Sequence, residues 1–322
     1  MTAVSLLQAA MLAAQNGENK KAGLLFTFAK QSPLLSAIPF VDIQGDSTAW
    51  TRTTSLGTVA FRGQNQGYTP NNGSVEELTV RLKAIGGEID VDNMQVVTRG
   101  MGARTDWEMM KAAAMAQSVG YHIIKGSLNT GGGMTATPYA WDGLQAQYGG
   151  GNGATAVSTA GVNSNQILLN TGGAGLSIAS LDEAIQKVDN PTHLLMPKKQ
   201  VINITSYLRS STSINTSRDE FGRLVTSYNG LPILHADING DTAGLAYDEN
   251  NSSSTSIYVL NLSPQATHMV QSAGGMQVTD LGQIDASPTW RTRMEWFAGF
   301  VSAMGPRDVC RLYGITNVIA IA

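Results

Sequence analysis

The chain has 322 residues, long for one compact core and comfortable for two, since domains commonly hold about 100–200 residues. Hydrophobic residues at 42% suffice for such cores, but charged residues reach only 14%, against roughly 25% in an average soluble domain. The net charge of −3, with Lys20-Lys21 and Lys198-Lys199 as the only basic doublets, argues against a dedicated nucleic-acid binder. A surface this neutral fits extensive protein–protein contact, or a Gly-rich secreted β-protein.

Along the chain, Leu6, Leu7, Ala10, Met11 and Ala14 recur at helical spacing and predict an amphipathic helix over 2–15, ended by Asn16-Gly17. Its start lacks the basic region of a secretory signal, and no apolar run approaches the ~20 residues needed to span a bilayer. A soluble protein made in a reducing cytoplasm is the expectation. Residues 16–45 scatter Leu24, Leu25, Phe26, Phe28, Leu34, Leu35, Ile38 and Phe40 around Pro33 and Pro39. That is too apolar for a free linker and too broken for a regular element, so an extended arm covered by another subunit is expected.

Residues 46–98 read as a long β-hairpin. Val59 and Phe61 alternate on the way out, Leu78, Val80, Leu82 and Ala84 on the return, with a polar, Gly-rich tip at 63–73. Gly86-Gly87 reads as a further turn. Thr105 and Glu108 have capping-box spacing at the start of a helix whose apolar face would be Trp107, Met110, Ala114, Tyr121 and Ile124, stopped by Gly126. Gly-rich stretches at 130–134 and 149–153 bracket Tyr139 to Leu144.

Helix and strand alternate from about residue 175. Ser180 and Glu183 predict a capped helix through Val188, His193 to Met196 a buried strand, and Pro197 the first turn of another helix. Between the apolar runs 223–228 and 231–235, Asn229-Gly230 takes positive backbone angles readily, so a tight hairpin is predicted. Ser256 to Leu262 is a strand. Thr289 to Val301 is a longer one, with Trp290, Thr292, Met294, Trp296 and Ala298 on alternate positions.

Few residues invite chemistry. Cys310 is the single cysteine and reads as a small buried apolar side chain rather than a nucleophile. His122, His193, His235 and His268 lie far apart without zinc-ligand spacing; His193 and His235 sit in predicted strands, as neutral packed imidazoles. Glu88, Asp90 and Asp92 share one strand face, a metal or acid/base candidate for which a solvated, pairing-averse edge is the preferred reading. Phosphate-loop and nucleophile-elbow patterns are absent. No catalytic residue, cofactor or metal is expected.

The order of elements resembles the major capsid proteins of tailed double-stranded DNA bacteriophages, the Hong Kong 97-type fold. The resembling segments are Trp50 to Thr54, Ile123 to Gly126, Trp141 to Leu144, Leu181 to Ile185, Phe221 to Val225 with Gly230 to Leu234, and Arg291 to Gly299. The resemblance implies an α+β chain: an N-terminal arm (1–45), an E-loop hairpin (46–98), a peripheral domain with a spine helix at about 105–126 (99–172), an axial domain of mixed sheet with flanking helices (173–285), and return segments to the peripheral (286–305) and axial (306–322) domains.

It implies a structural role without enzymatic activity. Copies would form pentamers and hexamers that close into an icosahedral virion shell around double-stranded DNA, assembled in the host bacterial cytoplasm. Partners would be the chain itself, a portal protein, a separate scaffolding protein (the arm begins almost at Met1) and a decoration protein, with no membrane involved. Some members crosslink through an E-loop lysine; Lys83, alone in 46–98, sits in a predicted strand away from the tip, which argues against that here. Subunit contacts are expected at Phe26, Phe28, Phe40, Trp50, Arg52, Arg62, Tyr68 and Arg81. A bacterial encapsulin, the same fold around enzyme cargo, is the alternative.

Overall fold

In a computed structural model of the chain, the described residues are 3–127, 139–149, 164–170, 175–211, 215–218, 224–235, 249, 254–284, 287–302, 304–305 and 307–316. Strand β1 (Ala3–Val4) leads into helix α1 (Leu6–Gln15), followed by α2 (Asn19–Gln31), α3 (Pro33–Ala37) and β2 (Phe40–Ile43). The first helix starts later than the periodicity predicts because Ser5 caps it. The Ser5 hydroxyl accepts from the Gln8 N–H, and the Gln8 amide oxygen accepts from the Ser5 N–H. Its buried face is Leu6, Ala10 and Ala13, leaving Met11 exposed.

The expected extended arm is corrected: residues 19–43 form regular structure on their own chain. Pro33, read as an interruption, is the first residue of α3, which Ser32 caps. Leu24, Phe28, Leu35, Ile38 and Phe40 are all buried in the largest hydrophobic core.

Next come β3 (Ser47–Ser55), β4 (Ser74–Arg81), β5 (Lys83–Asp92), α4 (Asn93–Arg99), the long α5 (Gly102–Lys125) and α6 (Leu144–Gln147). The outgoing hairpin strand is thus 47–55, and Val59 and Phe61, expected in it, belong to the connection. Gly86-Gly87 is not a turn; both lie inside β5. That strand pairs antiparallel with a later one, and a side chain at Gly86 would strike the Met294 carbonyl oxygen, so glycine there permits close strand approach.

Helix α5 ends at Gly126 as predicted, but Thr105 and Glu108 lie within it and form no cap. The buried face is Arg104, Glu108, Ala112, Met115, Ala116, Val119 and Ile123, while Trp107, Met110 and Ala114 face outward. Ile124 is buried as expected, but hydrophobicity misassigned the earlier turns, because the first is held by charge rather than by apolar contact. The Gly-rich stretch 130–134 lies outside the described residues, as does 150–153.

A 3-10 turn (Ser164–Gln166) precedes β6 (Ile167–Leu169). After these come α7 (Ile178–Gln186), β7 (His193–Met196), α8 (Lys198–Ser211), β8 (Asn215–Arg218), β9 (Leu224–Tyr228), β10 (Leu231–His235), β11 (Ser254–Leu260), β12 (His268–Ser272), β13 (Gln277–Gln283), β14 (Thr289–Val301) and β15 (Val309–Thr316). Ser177, not Ser180, caps α7, its hydroxyl accepting from the Ser180 N–H. The hairpin between β9 and β10 is as read, with Asn229 at φ 51° and Gly230 at φ 79°.

Two sheets organise the chain. A seven-stranded mixed sheet runs β6-β15-β11-β7-β10-β9-β8, with a core of Leu181, Ala184 and Ile185 from α7 and Val201 and Ile204 from α8 against Leu194, Val259 and Leu312. A six-stranded sheet runs β1-β2-β12-β14-β13, with β5 also on β14. Ala298 pairs with both Lys83 and Gln271, and Thr292 with both Ile89 and Asp280. So β5 occupies one edge of β14 while β12 and β13 succeed one another along the other. Pairing thereby puts 167–169 with the later sheet and 268–283 with the earlier one, each opposite to the linear division. Hydrogen-bond register, which composition does not record, decides membership.

Replacing Gly86 by Ala is expected to destabilise the isolated subunit by about 1–3 kcal/mol through backbone overpacking. Gly87→Ala, which meets only the end of the Lys111 side chain, is expected to cost under about 1 kcal/mol. Denaturant unfolding of dispersed subunits measures both.

Candidate assembly surfaces

Strands β3 and β4 form a two-stranded ribbon separate from both sheets. Such a ribbon is marginal alone in water, and here its root is anchored. Trp50, Val80 and Leu82 pack on Val41, Ile43, Val270 and Val301 of the six-stranded sheet. A side chain at Gly299 would come within 2.9 Å of Val80 and 3.0 Å of Val270, so that glycine lets the ribbon lie close. Across the ribbon, Arg52 donates to Glu76 at 3.0 Å.

Residues 56–73 join the strands without regular structure. Leu56, Val59, Phe61 and Tyr68 stand 86%, 98%, 108% and 67% exposed there, beyond the reach of their own core. Burying one such side chain is worth about 1.5–3 kcal/mol, and the isolated chain realises none of it. The tip has local order: Arg62 donates to the Gln66 carbonyl oxygen at 3.0 Å and lies over the Tyr68 ring, 5.4 Å from its centroid.

The residues expected to touch neighbours therefore divide. Phe28 and Phe40 flank Trp296, with ring centroids at 5.6 and 5.4 Å, and are enclosed by their own chain. Their expected intersubunit role is corrected, because the segment carrying them folds instead of extending. Arg52 is buried and pairs with Glu76 across the ribbon. Trp50 is half-buried at the root. Phe26, Arg62, Tyr68 and Arg81 are exposed.

Sequence reasoning missed a polar network between α2, α5 and the six-stranded sheet. Glu108 accepts from Lys20 at 2.8 Å and from the Thr292 hydroxyl at 2.7 Å, with Arg104 at 3.3 Å. Arg104 also donates to Thr292 at 2.7 Å, pairs with Asp280 at 2.5 Å and lies 5.5 Å from the Trp290 ring centroid. Its hydrogen bond holds the Asp280 carboxyl below the usual range. Residues 20, 104, 108, 280 and 292 are scattered in sequence; the only signal was two charged residues, Arg104 and Glu108, one helical turn apart.

A second network ties the seven-stranded sheet to α6. The fully buried Arg311 donates to Glu249 at 2.8 Å, to Ser256 at 3.0 Å and to the Tyr148 carbonyl oxygen at 2.6 Å. Gln145 and Ser256 donate to the same carboxylate.

The remaining chemical candidates are occupied by packing or pairing. Arg291 and Arg293 on β14 engage Asp90 and Glu88 directly opposite on β5, at 2.6 Å each, so the acidic face is a ladder of ion pairs. Arg291 holds the Asp90 carboxyl low. Burial pushes the Cys310 thiol up to about 12 and the His193 imidazole down to about 4, keeping both neutral near pH 7. Burial likewise lowers His268. Among the described residues, no cluster of three metal-ligating side chains forms and no helix is long and apolar enough to cross a membrane.

No protein-family profile matches the chain, and no curated protein matches it by sequence. Solved structures do match over nearly its whole length. The SrpI encapsulin of Synechococcus elongatus PCC 7942 superposes with a TM-score of 0.60 at 12% identity, covering 90% of this chain and 89% of that one. The capsid of cyanophage A-1(L) gives 0.59 at 16% identity, covering 89% and 93%. The capsid of an empty GTA particle gives 0.56 at 12%, covering 89% and 90%. By these matches over nearly its whole length, the chain has the Hong Kong 97-type capsid fold.

Proposed function

We propose that the chain is the major capsid protein of a tailed double-stranded DNA bacteriophage, assembling as pentamers and hexamers into an icosahedral shell around the genome. The observation that carries this reading is the anchored ribbon with its apolar tip fully exposed on a fold of this type. The tip is of no use to a monomer and suits a subunit that another copy covers. In this reading the sheet around β14, with α5 as spine helix, is the peripheral domain, and the sheet around β11 is the axial domain. Further partners are a portal, a scaffolding protein and a decoration protein, with assembly in the host cytoplasm. The role is structural, supported by charged side chains committed to one another.

The match to the SrpI encapsulin supports a second reading, a bacterial compartment around protein cargo. Electron microscopy of particles purified from the native source separates the two. Closed shells containing DNA and carrying a portal and tail are expected; shells filled with protein cargo establish the second reading, and failure of the chain to form shells overturns both.

The charge balance favours passive confinement of DNA. A subunit of net charge −3 without a basic run lacks the several Lys or Arg contacts that phosphate neutralisation requires. Dispersed subunits are expected to show no appreciable affinity for duplex DNA in an anisotropy titration at low and physiological salt. Micromolar binding that weakens steeply with salt would contradict this.

Arg62→Glu is expected to impair assembly, read by sedimentation, while leaving subunit stability within about 0.5 kcal/mol, since its partners Gln66 and Tyr68 belong to the same exposed tip. A comparable loss of stability would show that Arg62 serves its own chain.

A further inference from the structure

Among the described residues, strands β5 and β13 of the six-stranded sheet each pair with β14 alone. Each therefore turns one row of backbone N–H and C=O groups away from the sheet. Such an unpaired row is a template for another strand, and proteins guard it with charges, prolines or bulges. The two edges are guarded very differently.

Strand β5 carries Lys83, Glu88, Asp90 and Asp92, the three carboxylates exposed. Antiparallel pairing of β5 with its own copy about Asp90 would set carboxylate against carboxylate, which is destabilising. Strand β13 reads Gln277-Val-Thr-Asp-Leu-Gly-Gln283 and buries none of its residues. Its single charge, Asp280, is already paired with Arg104, and Leu281 is 43% exposed. Among the described residues, no backbone hydrogen bond reaches β13 from any element but β14. Its one guard is a bulge between Asp280 and Gly282, which confines a regular partner to about residues 277–281.

We propose that β13 pairs antiparallel with β13 of a second copy across a two-fold axis centred on Thr279. Thr279 then stands opposite its counterpart, Val278 opposite Asp280 and Gln277 opposite Leu281. No like charges oppose one another, so the strand is its own complement. A two-fold contact uses one patch twice and closes at two copies. The inference rests on the shell reading and adds to it a dimeric contact made by the edge of the sheet.

Disulfide trapping tests it. Cys310 is fully buried, so an introduced thiol has a silent background. Particles of Thr279→Cys are expected to give covalent dimers and nothing larger on mild oxidation. Particles of Ala84→Cys, an exposed position on β5, are expected to give none. Intact particles without the Thr279→Cys dimer, or with a dimer only from Ala84→Cys, would overturn the proposal and leave the shell reading in place. If the unaltered chain forms no particles, the shell reading fails and this proposal with it. Should the Thr279→Cys variant fail to assemble, charge exchange decides. Thr279→Lys alone is expected to cut assembly yield about tenfold, because each lysine faces its own copy across the axis. Mixing Thr279→Lys with Thr279→Glu subunits is expected to restore the yield, with subunit melting unchanged throughout. An unchanged yield from Thr279→Lys refutes the contact. A loss that mixing does not restore overturns self-pairing in favour of a different chain on this edge.

Discussion

Strand β14 is bonded along both edges, and the rest of the subunit is arranged by that constraint. Ten of its residues pair with β5, while β12 and β13 divide the opposite edge. One face carries Thr292, Met294, Trp296 and Ala298 into the core, where α5 and the N-terminal helices cover them. The other carries Arg291 and Arg293 into the ion-pair ladder and, at Gly299, admits the ribbon. A central strand held on two edges cannot slip register without turning its core residues outward. The ribbon, the long helix and the N-terminal segment therefore share one rigid reference.

Charge completes what packing begins. Glu108 is almost wholly buried, and a buried carboxylate is tolerated only when paired and hydrogen-bonded. Lys20, Arg104 and Thr292 meet that requirement from α2, α5 and β14, so satisfying one carboxylate fixes three elements together. Arg311 and Glu249 do the same between the seven-stranded sheet and α6. Buried pairs of this kind add little net stability over an apolar replacement, but stripping one partner costs about 3–5 kcal/mol. Their contribution here is to fix one mutual orientation of the parts.

Elements whose local chemistry dictates their shape were legible in the sequence. Asn229-Gly230 could hardly be other than a tight turn, and the alternation from Thr289 to Val301 marks a strand with its correct bounds. Long-range demands hid the rest. Pro33 breaks α2 but also begins α3, so the same proline serves as a stop for one helix and a start for the next. Gly86-Gly87 looks like a turn because nothing in the sequence reveals the β14 backbone beside it. The inward face of α5 was misjudged because Arg104 and Glu108 look like surface residues until Lys20, Asp280 and Thr292 are seen around them. Of the expected contact surface, the tip residues Arg62 and Tyr68 are exposed, whereas Phe28 and Phe40 were drawn into the core by Trp296, 256 to 268 positions later in the chain.

The pairing of β5 with β14 joins residues about two hundred positions apart, as the Arg291–Asp90 bond illustrates. A ribosome has therefore exported the ribbon, the long helix and most of the second sheet before the strand that unites them exists. Until then β5 is an open edge and Glu108 lacks its Thr292 partner, so a nascent chain has no fixed frame on which to hold its tip. Contacts closing so large a loop form late and slowly. A fixed frame for the tip is thereby tied to the synthesis of β14, a timing built into chain topology.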